Sequence, residues 1–225
     1  NNYLKKLKNS VTAEDIWIEK SIGELETQYK EKFNIKIIKP DIDPKLFFLQ
    51  IYELFSVSQV YYNKIYEPQV MKKDSDLETY LKDKIIFHSY NSNLLFNPIE
   101  IKNNSGSYFK VFTPYWRSCS QKLLIRSPIK APEGIDAFQS KNLKNDKSKL
   151  NNNYNKGWAK KLLKFYSPGE IAARKQLSNL DKLLKGYSSE RDFPNNNKTS
   201  KLSVYLARGE LSVNEIMHIL NQRKK

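Results

Sequence analysis

The chain has 225 residues, of which 39% are hydrophobic and 12% aromatic, so it can bury a core and does not have the composition of a disordered protein. The single cysteine, Cys119, excludes an internal disulfide framework and fits a reducing compartment. The chain has no apolar run of the ~18 residues that a membrane span needs and no signal-peptide pattern, so we expect a cytoplasmic protein that spans no membrane.

The formal net charge of +15 permits nucleic-acid binding but does not establish it. Lysine supplies 33 of the 39 basic residues and arginine only 6. A coat of lysines is a diffuse, solvated charge, whereas shaped phosphate sites favour arginine clustered with lysine. The charge therefore leaves the kind of partner open.

The first half of the chain alternates predicted helices and strands. Thr12 and Asp15 form a capping-box-like start to an amphipathic helix, and Asp43 before Pro44 caps the next helix. In chain order, the expected elements are helix 12–32, strand 33–38, helix 43–54, strand 57–62, helix 69–82, strand 84–88 and helix 113–125. This order is typical of an α/β fold with a Rossmann-like parallel sheet. Because such a sheet normally begins with a strand, we expect a first βα unit to be missing.

The character of the sequence changes at 140–156, where Lys, Asn and Ser dominate and almost nothing can be buried, as in a linker. Beyond it only helices are expected. Two of them open on capping-box patterns at 167–170 and 212–215, and a short helix at 199–208 ends at Gly209. The apolar face of the helix that follows residue 167 consists of Ala173, Leu177, Leu180 and Leu184. We predict an α/β domain at 1–126, an interdomain linker at 127–160 and the start of an all-α domain at 161–225.

Three ordered segments resemble motifs of the DNA photolyase/cryptochrome family. Y-N-K-I-Y-E-P at 62–68 is similar to the family's W-N-R-R-Y-E-P. L-L-F-N-P at 94–98 and Y-F-K-V-F-T-P-Y-W-R at 108–117 are similar to S-L-L-F-x-P and Y-K-V-F-T-P-F-W-R. The third segment joins G-Y at 186–187, R-D-F-P at 191–194 and T-S-K-L-S at 199–203, and it resembles Y-x-x-x-R-D-F-P followed by T-S-R-L-S. Their order and spacing make the chain resemble a class I cyclobutane pyrimidine dimer photolyase truncated at both ends.

The resemblance implies a deoxyribodipyrimidine photo-lyase, a carbon–carbon lyase that is a monomer when full length. In such an enzyme reduced FAD, excited by light, donates an electron to a pyrimidine dimer flipped out of damaged DNA. The chain alone is expected to be inactive and to carry no catalytic residue, because the family's substrate pocket and electron relay belong to later residues. Two alternatives stay open: a cryptochrome-like blue-light photoreceptor without repair, and a flavin-free basic domain that binds nucleic acid or protein.

The predicted cofactor site is the third segment. Hydroxyls and free backbone N–H groups at a helix N-terminus favour a pyrophosphate, although the same residues can also form a simple N-cap. The resemblance implies that the segment holds the FAD phosphates and ribityl chain, and the matching residues are Tyr187, Thr199, Ser200, Lys201, Leu202 and Ser203. Lys201 stands where the family has arginine, so the charge is kept and the bidentate fork is lost.

Two further ligand predictions concern DNA and an antenna chromophore. The resemblance places Arg191 near the rim of the DNA-facing cavity, where it would contact a phosphate; the alternative is a surface arginine paired with Asp192 or Glu190. Folate-binding relatives have polar residues just after Y-E, whereas Val70 cannot hydrogen-bond a pterin ring. An antenna cofactor, folate or another, is therefore left open.

The remaining residues that attract notice are expected to be structural. His88 and His218 lie far apart without metal-ligand spacing, so no metal site is predicted. Cys119 is expected to be a small buried residue. Val111 and Phe112 are expected to pack under the sheet edge, and the tryptophans to pack in the core or linker rather than relay electrons: Trp17, Trp116 and Trp158.

Overall fold

The computed structural model describes residues 12–40, 42–138, 157–193, 195–196 and 198–223. The predicted linker at 140–156 lies outside the described residues. The chain divides into two compact units, one formed by 1–42 with 131–211 and the other by 43–130 with 212–225. Within the described ranges, no helix is long and apolar enough to cross a membrane. The domain boundaries expected near 126 and 160 stay a prediction.

The elements in chain order are α1 (Ala13–Phe33), α2 (Pro44–Phe55), β1 (Gln59–Asn63), α3 (Pro68–Leu81), β2 (Ile86–Tyr90), α4 (Phe112–Gln121), α5 (Gly157–Phe165), α6 (Glu170–Ser178), α7 (Leu180–Leu184), α8 (Tyr187–Glu190), α9 (Ser203–Ala207) and α10 (Val213–Gln222). We refer to the unit containing α1 and α5 to α9 as the helical unit. The unit containing the two strands, with α2, α3, α4 and α10, is the α/β unit.

The α/β unit is built on two parallel strands joined through a helix. β1 pairs with β2 in a register that sets Gln59 opposite Ile86, and α3 connects the two strands. Phe48 of α2 packs edge-on against Phe87 at 5.7 Å between ring centroids. Leu81 at the end of α3 and Ile85 before β2 are fully buried. The parallel sheet with a crossover helix, expected from the alternation of elements, is confirmed.

Two sequence predictions for this half of the chain are wrong. The strand expected at 33–38 does not form, because Asn34 ends α1 in the left-handed conformation at φ 53° and residues 35–40 belong to no strand. Val111 and Phe112 do not pack under the sheet edge, since they are 62% and 71% exposed. Phe112 instead begins α4 and stacks on Trp116, with the rings 7° from parallel.

The core of the helical unit draws on helices far apart in sequence. Its buried residues are Ile16, Trp17, Ala159, Ala173, Leu177, Leu180, Leu202, Tyr205 and Leu211. The apolar face predicted for the helix after residue 167 is buried at Ala173, Leu177 and Leu180 and half-buried at Leu184. The helix itself is interrupted at Asn179, which separates α6 from α7.

Some of the predicted helix caps are present in the structure and others are not. The capping box of Thr12 and Asp15 is confirmed, with the Asp15 N–H donating to Thr12 Oγ1 at 3.2 Å and the Thr12 N–H to Asp15 Oδ2 at 2.9 Å. Asp43 caps α2 through the N–H of Lys45. By contrast, Gly169 is the N-cap of α6, and neither it nor Ser212 before α10 makes a side-chain cap. The capping boxes expected at 167–170 and 212–215 are therefore absent.

Candidate cofactor-binding site

An open cleft of about 600 Å³ lies within the helical unit. One wall is the start of α1, with Ala13, Glu14 and Trp17. A second wall is the run of residues 199–204 leading into α9, and the remaining lining residues are Leu162, Tyr166 and Arg208. All five residues predicted from T-S-K-L-S line this cleft, whereas Tyr187 is not among its lining residues.

The T-S-K-L-S segment is an irregular turn that leads into a helix. The sequence pattern predicts a helix over 199–208, but α9 begins only at Ser203. Thr199 to Leu202 therefore precede the helix and do not form its first turn. Lys201 has a φ of 52°, in the left-handed region that non-glycine residues seldom adopt. Leu202 is 3% exposed, and the Gln176 side chain donates to the Ser200 carbonyl at 2.9 Å. The buried Leu202 side chain and the Gln176 hydrogen bond thus hold the segment in place, while Thr199, Lys201 and Ser203 are exposed.

The donors along the cleft suit a phosphate group. The first N–H groups of any helix lack an intrahelical acceptor, and here they adjoin the hydroxyls of Thr199, Ser200 and Ser203. Lys201 adds a positive charge. Arg208 lies in the same cleft, but its guanidinium is 2.8 Å from Glu14 Oε1 and is therefore largely neutralised in place.

The turn after α9 is fixed by glycine. Gly209 has a φ of 72°; its N–H donates to the Leu206 carbonyl, and the N–H of Glu210 donates to the Tyr205 carbonyl at 3.0 Å. This pair of bonds is a Schellman motif, and the predicted role of Gly209 at the helix end is confirmed. The motif sets the direction in which the Glu210 side chain leaves the backbone.

Aromatic side chains support the α1 side of the cleft. Trp17 is 4% exposed, and its ring packs at 5.6 Å from Tyr205 and 6.4 Å from Tyr166, measured between centroids. The Tyr205 hydroxyl donates to the Ser167 carbonyl at 3.1 Å. Burial, followed by the nearby Glu210 charge, raises the pKa of Tyr205, so this hydroxyl remains a donor at neutral pH.

Glu210 is a functional candidate that sequence reasoning missed. Its Oε1 accepts hydrogen bonds from Trp17 Nε1 at 2.9 Å and from the Gly169 N–H at 2.8 Å. Its Oε2 is buried without a hydrogen-bond partner among the described residues. The two donors lie 193 and 41 residues away, so no local pattern could have revealed them.

Arg191 and Tyr187 form a separate, exposed pair. The Arg191 guanidinium lies over the Tyr187 ring at 5.6 Å from its centroid, and Arg191 Nε is 3.6 Å from Asp192 Oδ1. The arginine side chain is 53% exposed, and Tyr187 is 40% exposed. The pairing with Asp192 is thus present in the structure, and the DNA contact of Arg191 stays a prediction.

The other expectations from sequence concern structural residues. Cys119 is fully buried, as predicted, and Trp17 is a core residue, whereas Trp116 and Trp158 are each 41% exposed. His88 stacks on Tyr61 at 4.6 Å between centroids. Among the described residues, no group of three potential metal ligands comes together. Val70, which bears on the antenna site, lies half-buried in α3.

Comparison with known proteins decides the family. A family model described as DNA photolyase matches residues 4–133. The chain belongs to the DNA photolyase/cryptochrome family. The resemblance read from the three motifs is thereby confirmed at the level of the family.

The relatives found by sequence include a repair enzyme and a photoreceptor. The deoxyribodipyrimidine photo-lyase of Agrobacterium fabrum is 29% identical over 212 residues, which cover 92% of this chain and 43% of that protein. Cryptochrome-1 of Arabidopsis thaliana is 26% identical over 207 residues, covering 91% of this chain and 30% of that protein. The chain therefore spans less than half the length of these two relatives.

A solved structure is similar over nearly the whole chain. The crystal structure of a bacterial class III photolyase from Agrobacterium tumefaciens matches with a TM-score of 0.82 at 28% identity, covering 94% of this chain and 45% of that one. This likeness confirms the photolyase-like fold of an α/β part with helices. The class I subclass suggested by the motifs stays a prediction.

Proposed function

We propose that this chain is part of a flavin-dependent photolyase that repairs cyclobutane pyrimidine dimers in DNA. The observation that carries the proposal is the cleft lined by all five residues of T-S-K-L-S, in a chain 29% identical over 92% of its length to a protein named deoxyribodipyrimidine photo-lyase. The hydrogen-bond donors that line the cleft and the membership of the photolyase family both support FAD as the cofactor.

The residues of the cleft fit the diphosphate of FAD. The hydroxyls of Thr199, Ser200 and Ser203 and the N–H groups that begin α9 would donate to phosphate oxygens, and Lys201 would offset part of the negative charge. The diphosphate would also compete with Glu14 for Arg208, since both are anionic. Tyr187 is proposed as a further contact to the cofactor on the strength of the motif alone. Reduced FAD, when bound, would supply the electron that opens the cyclobutane ring under blue light.

The chain would also contribute to DNA binding. A net charge of +15 favours encounter with a polyanion, and the attraction falls as salt is added. Arg191 is exposed, and its contact with Asp192 at 3.6 Å is a surface pair of small net worth. Exchanging Asp192 for a DNA phosphate would therefore cost little.

A repair assay tests the proposal. Protein expressed from the complete gene is supplied with FAD, reduced, and mixed with an oligonucleotide that carries one thymine dimer. We expect blue light to restore the intact thymines, with no repair in the dark or with oxidised flavin. Dimers that persist under illumination, with reduced flavin demonstrably bound, would contradict a repair function.

The match to cryptochrome-1 over 91% of the chain favours a second candidate, a blue-light photoreceptor of the same family. The same experiment separates the candidates, because a photoreceptor would bind the flavin and leave the dimers intact. A purified protein with no flavin absorbance, even after FAD is supplied, would instead indicate a flavin-free basic domain.

A further inference from the structure

We infer that Glu210 is a positioning residue for the cleft, holding the α1 wall and the T-S-K-L-S segment at the separation that the diphosphate needs. This inference rests on the proposed function. Glu210 is not among the residues that line the cleft, so it would act through neighbours that do.

The walls of the cleft come from segments that are far apart in the chain. These walls come from α1 near the beginning of the chain and from residues 199–204 near the end. Two walls separated by about 190 residues of chain keep a fixed spacing only if specific contacts join them. Among the described residues, two long-range polar contacts join α1 to the chain just after the second wall, from Trp17 to Glu210 and from Arg208 to Glu14.

The two links differ in their exposure to water. The Arg208–Glu14 pair is open to water, with side chains 36% and 52% exposed, and exposed ion pairs contribute little and are screened by salt. The Glu210 link is part-buried, and its acceptor is a carboxylate that receives two N–H donors at 2.8 and 2.9 Å. Charge-assisted bonds of this length are about twice as strong as neutral ones. Glu210 is therefore the firmer of the two joints.

Glu210 would act on the cleft through Trp17. Trp17 is one of the lining residues and donates to Glu210 through its Nε1, so the hydrogen bond restrains the orientation of a side chain in the cleft wall. The same carboxylate oxygen holds the Gly169 N–H, which begins α6. The Schellman turn at Gly209 places Glu210 directly after the helix that carries Ser203. The Glu210 side chain thus links α1 and the start of α6 to the turn that follows α9.

The burial of the Glu210 carboxylate has a cost in stability. Its second oxygen is buried without a hydrogen-bond partner among the described residues, and such a group costs free energy of folding.

The test measures FAD dissociation constants for protein expressed from the complete gene. Glu210→Ala removes the acceptor for both donors, and we expect FAD to bind at least about tenfold more weakly. Glu210→Gln keeps a carbonyl oxygen as acceptor and should restore the affinity to within about threefold of wild type. Trp17→Phe removes the indole donor together with part of the ring and should weaken binding by about threefold, and combining it with Glu210→Ala should add little, because both changes break the same hydrogen bond.

Glu31→Ala is the matched control, since Glu31 is exposed on α1 and should leave FAD affinity unchanged. The positioning role is overturned if wild type binds FAD and Glu210→Ala binds it equally well, or if Glu210→Gln loses as much affinity as Glu210→Ala. If wild type binds no FAD, the proposed function fails first and this inference falls with it. Circular dichroism at the assay temperature shows whether each variant is folded. If Glu210→Ala is unfolded, Trp17→Phe becomes the deciding variant. A Trp17→Phe protein that binds FAD as tightly as wild type would then overturn the role.

Discussion

In the helical unit, three glutamates contact segments 147 to 194 residues away: Glu14 binds Arg208, Glu24 accepts the N–H of Ile171, and Glu210 accepts the Trp17 indole N–H. In the α/β unit, the joints are instead a short ladder between β1 and β2 and apolar packing such as Phe48 on Phe87. One face of that ladder leaves Tyr61, Ile86 and Tyr90 more than half exposed.

The difference shows what each unit must specify. A parallel ladder sets strand register by repetition, so that no single side chain controls it. A cleft assembled from distant helices depends on a few directional bonds, and losing one of them should move a wall. We therefore expect single polar or glycine substitutions to be most damaging in the helical unit.

The largest expected effect is at Gly169. Its φ of 105° is strained for any L-residue, and a Cβ there would fall on the carboxylate of Glu24. That carboxylate cannot move freely, because its Oε1 accepts hydrogen bonds from the Ile171 N–H and from Gln28 Nε2. We expect Gly169→Ala to lower the free energy of unfolding by about 3 kcal/mol.

Urea denaturation measures this change, and Gly23→Ala is its control. Gly23 lies inside α1 with nothing within 4 Å of its added Cβ, so alanine should stabilise the protein by about 0.5–1 kcal/mol. Equal effects of the two substitutions would contradict the close approach of Glu24 to Gly169.

The second prediction compares two tryptophans. Trp17→Phe removes the donor to Glu210 from a side chain that is 4% exposed, and we expect a loss of about 2 kcal/mol in the free energy of unfolding. Trp158→Phe makes the same chemical change at a residue 41% exposed and should cost less than about 0.5 kcal/mol. Thermal or urea unfolding of both variants decides, and similar losses would show that the indole bond to Glu210 is weak.

The third prediction concerns the α/β unit. The Tyr62 hydroxyl donates to Glu78 Oε1 at 2.5 Å across a part-buried contact, and Tyr62→Phe should cost about 1 kcal/mol. Tyr61→Phe is the matched control, because the Tyr61 hydroxyl contacts Gln59 on an exposed surface and its loss should be almost neutral. A loss larger than that of Trp17→Phe would reverse the proposed contrast between the units.

Tyr62 should also make stability depend on alkaline pH. Burial, reinforced by Glu78, raises the pKa of Tyr62 from 10.0 to about 12. The folded protein therefore keeps this proton where the unfolded chain releases it, so the contribution of Tyr62 is complete below pH 10 and is lost as pH rises toward 12. Stability curves of wild type should fall more steeply across that range than those of Tyr62→Phe, and parallel curves would refute the assignment.

The smallest effect is expected at the exposed ion pair. Glu14→Gln removes the partner of Arg208, but both side chains are at least 36% exposed, so stability should change by less than about 0.5 kcal/mol. A loss comparable to that of Trp17→Phe, measured by the same unfolding experiment, would mean that exposure does not separate the weak links from the strong ones.

Local signals in the sequence predicted the parts of the fold that depend on local chemistry. The box of Thr12 with Asp15, the Asp43 cap and the Gly209 turn each involve residues within a few positions of one another, and all three are present. The strand expected at 33–38 failed because a strand needs a partner, which local alternation cannot supply. The box expected at 167–170 failed because the helix begins later, at Glu170 with Gly169 as its N-cap, and the Glu170 side chain pairs with Arg174 instead.

The candidate site also has a part that the sequence predicts and a part that it does not. Thr199 to Ser203 were predicted through the family motif, and all five residues line the cleft. The α1 wall and Glu210 were missed, because they meet the motif only after the chain has folded back across about 190 residues. Tyr187 belongs to the motif by spacing but lies outside the cleft lining, so its part in cofactor binding stays a prediction.

The most direct test of the cofactor site is an FAD titration of protein from the complete gene carrying Ser203→Ala. Ser203 carries an exposed hydroxyl at the first position of α9 and lines the cleft, whereas Ser178 is not among the lining residues and its exposed hydroxyl donates to the local Lys175 carbonyl. We expect Ser203→Ala to weaken FAD binding about tenfold and Ser178→Ala to leave it unchanged. FAD bound equally tightly by wild type and both variants would contradict the assignment of the 199–203 cleft as the diphosphate site.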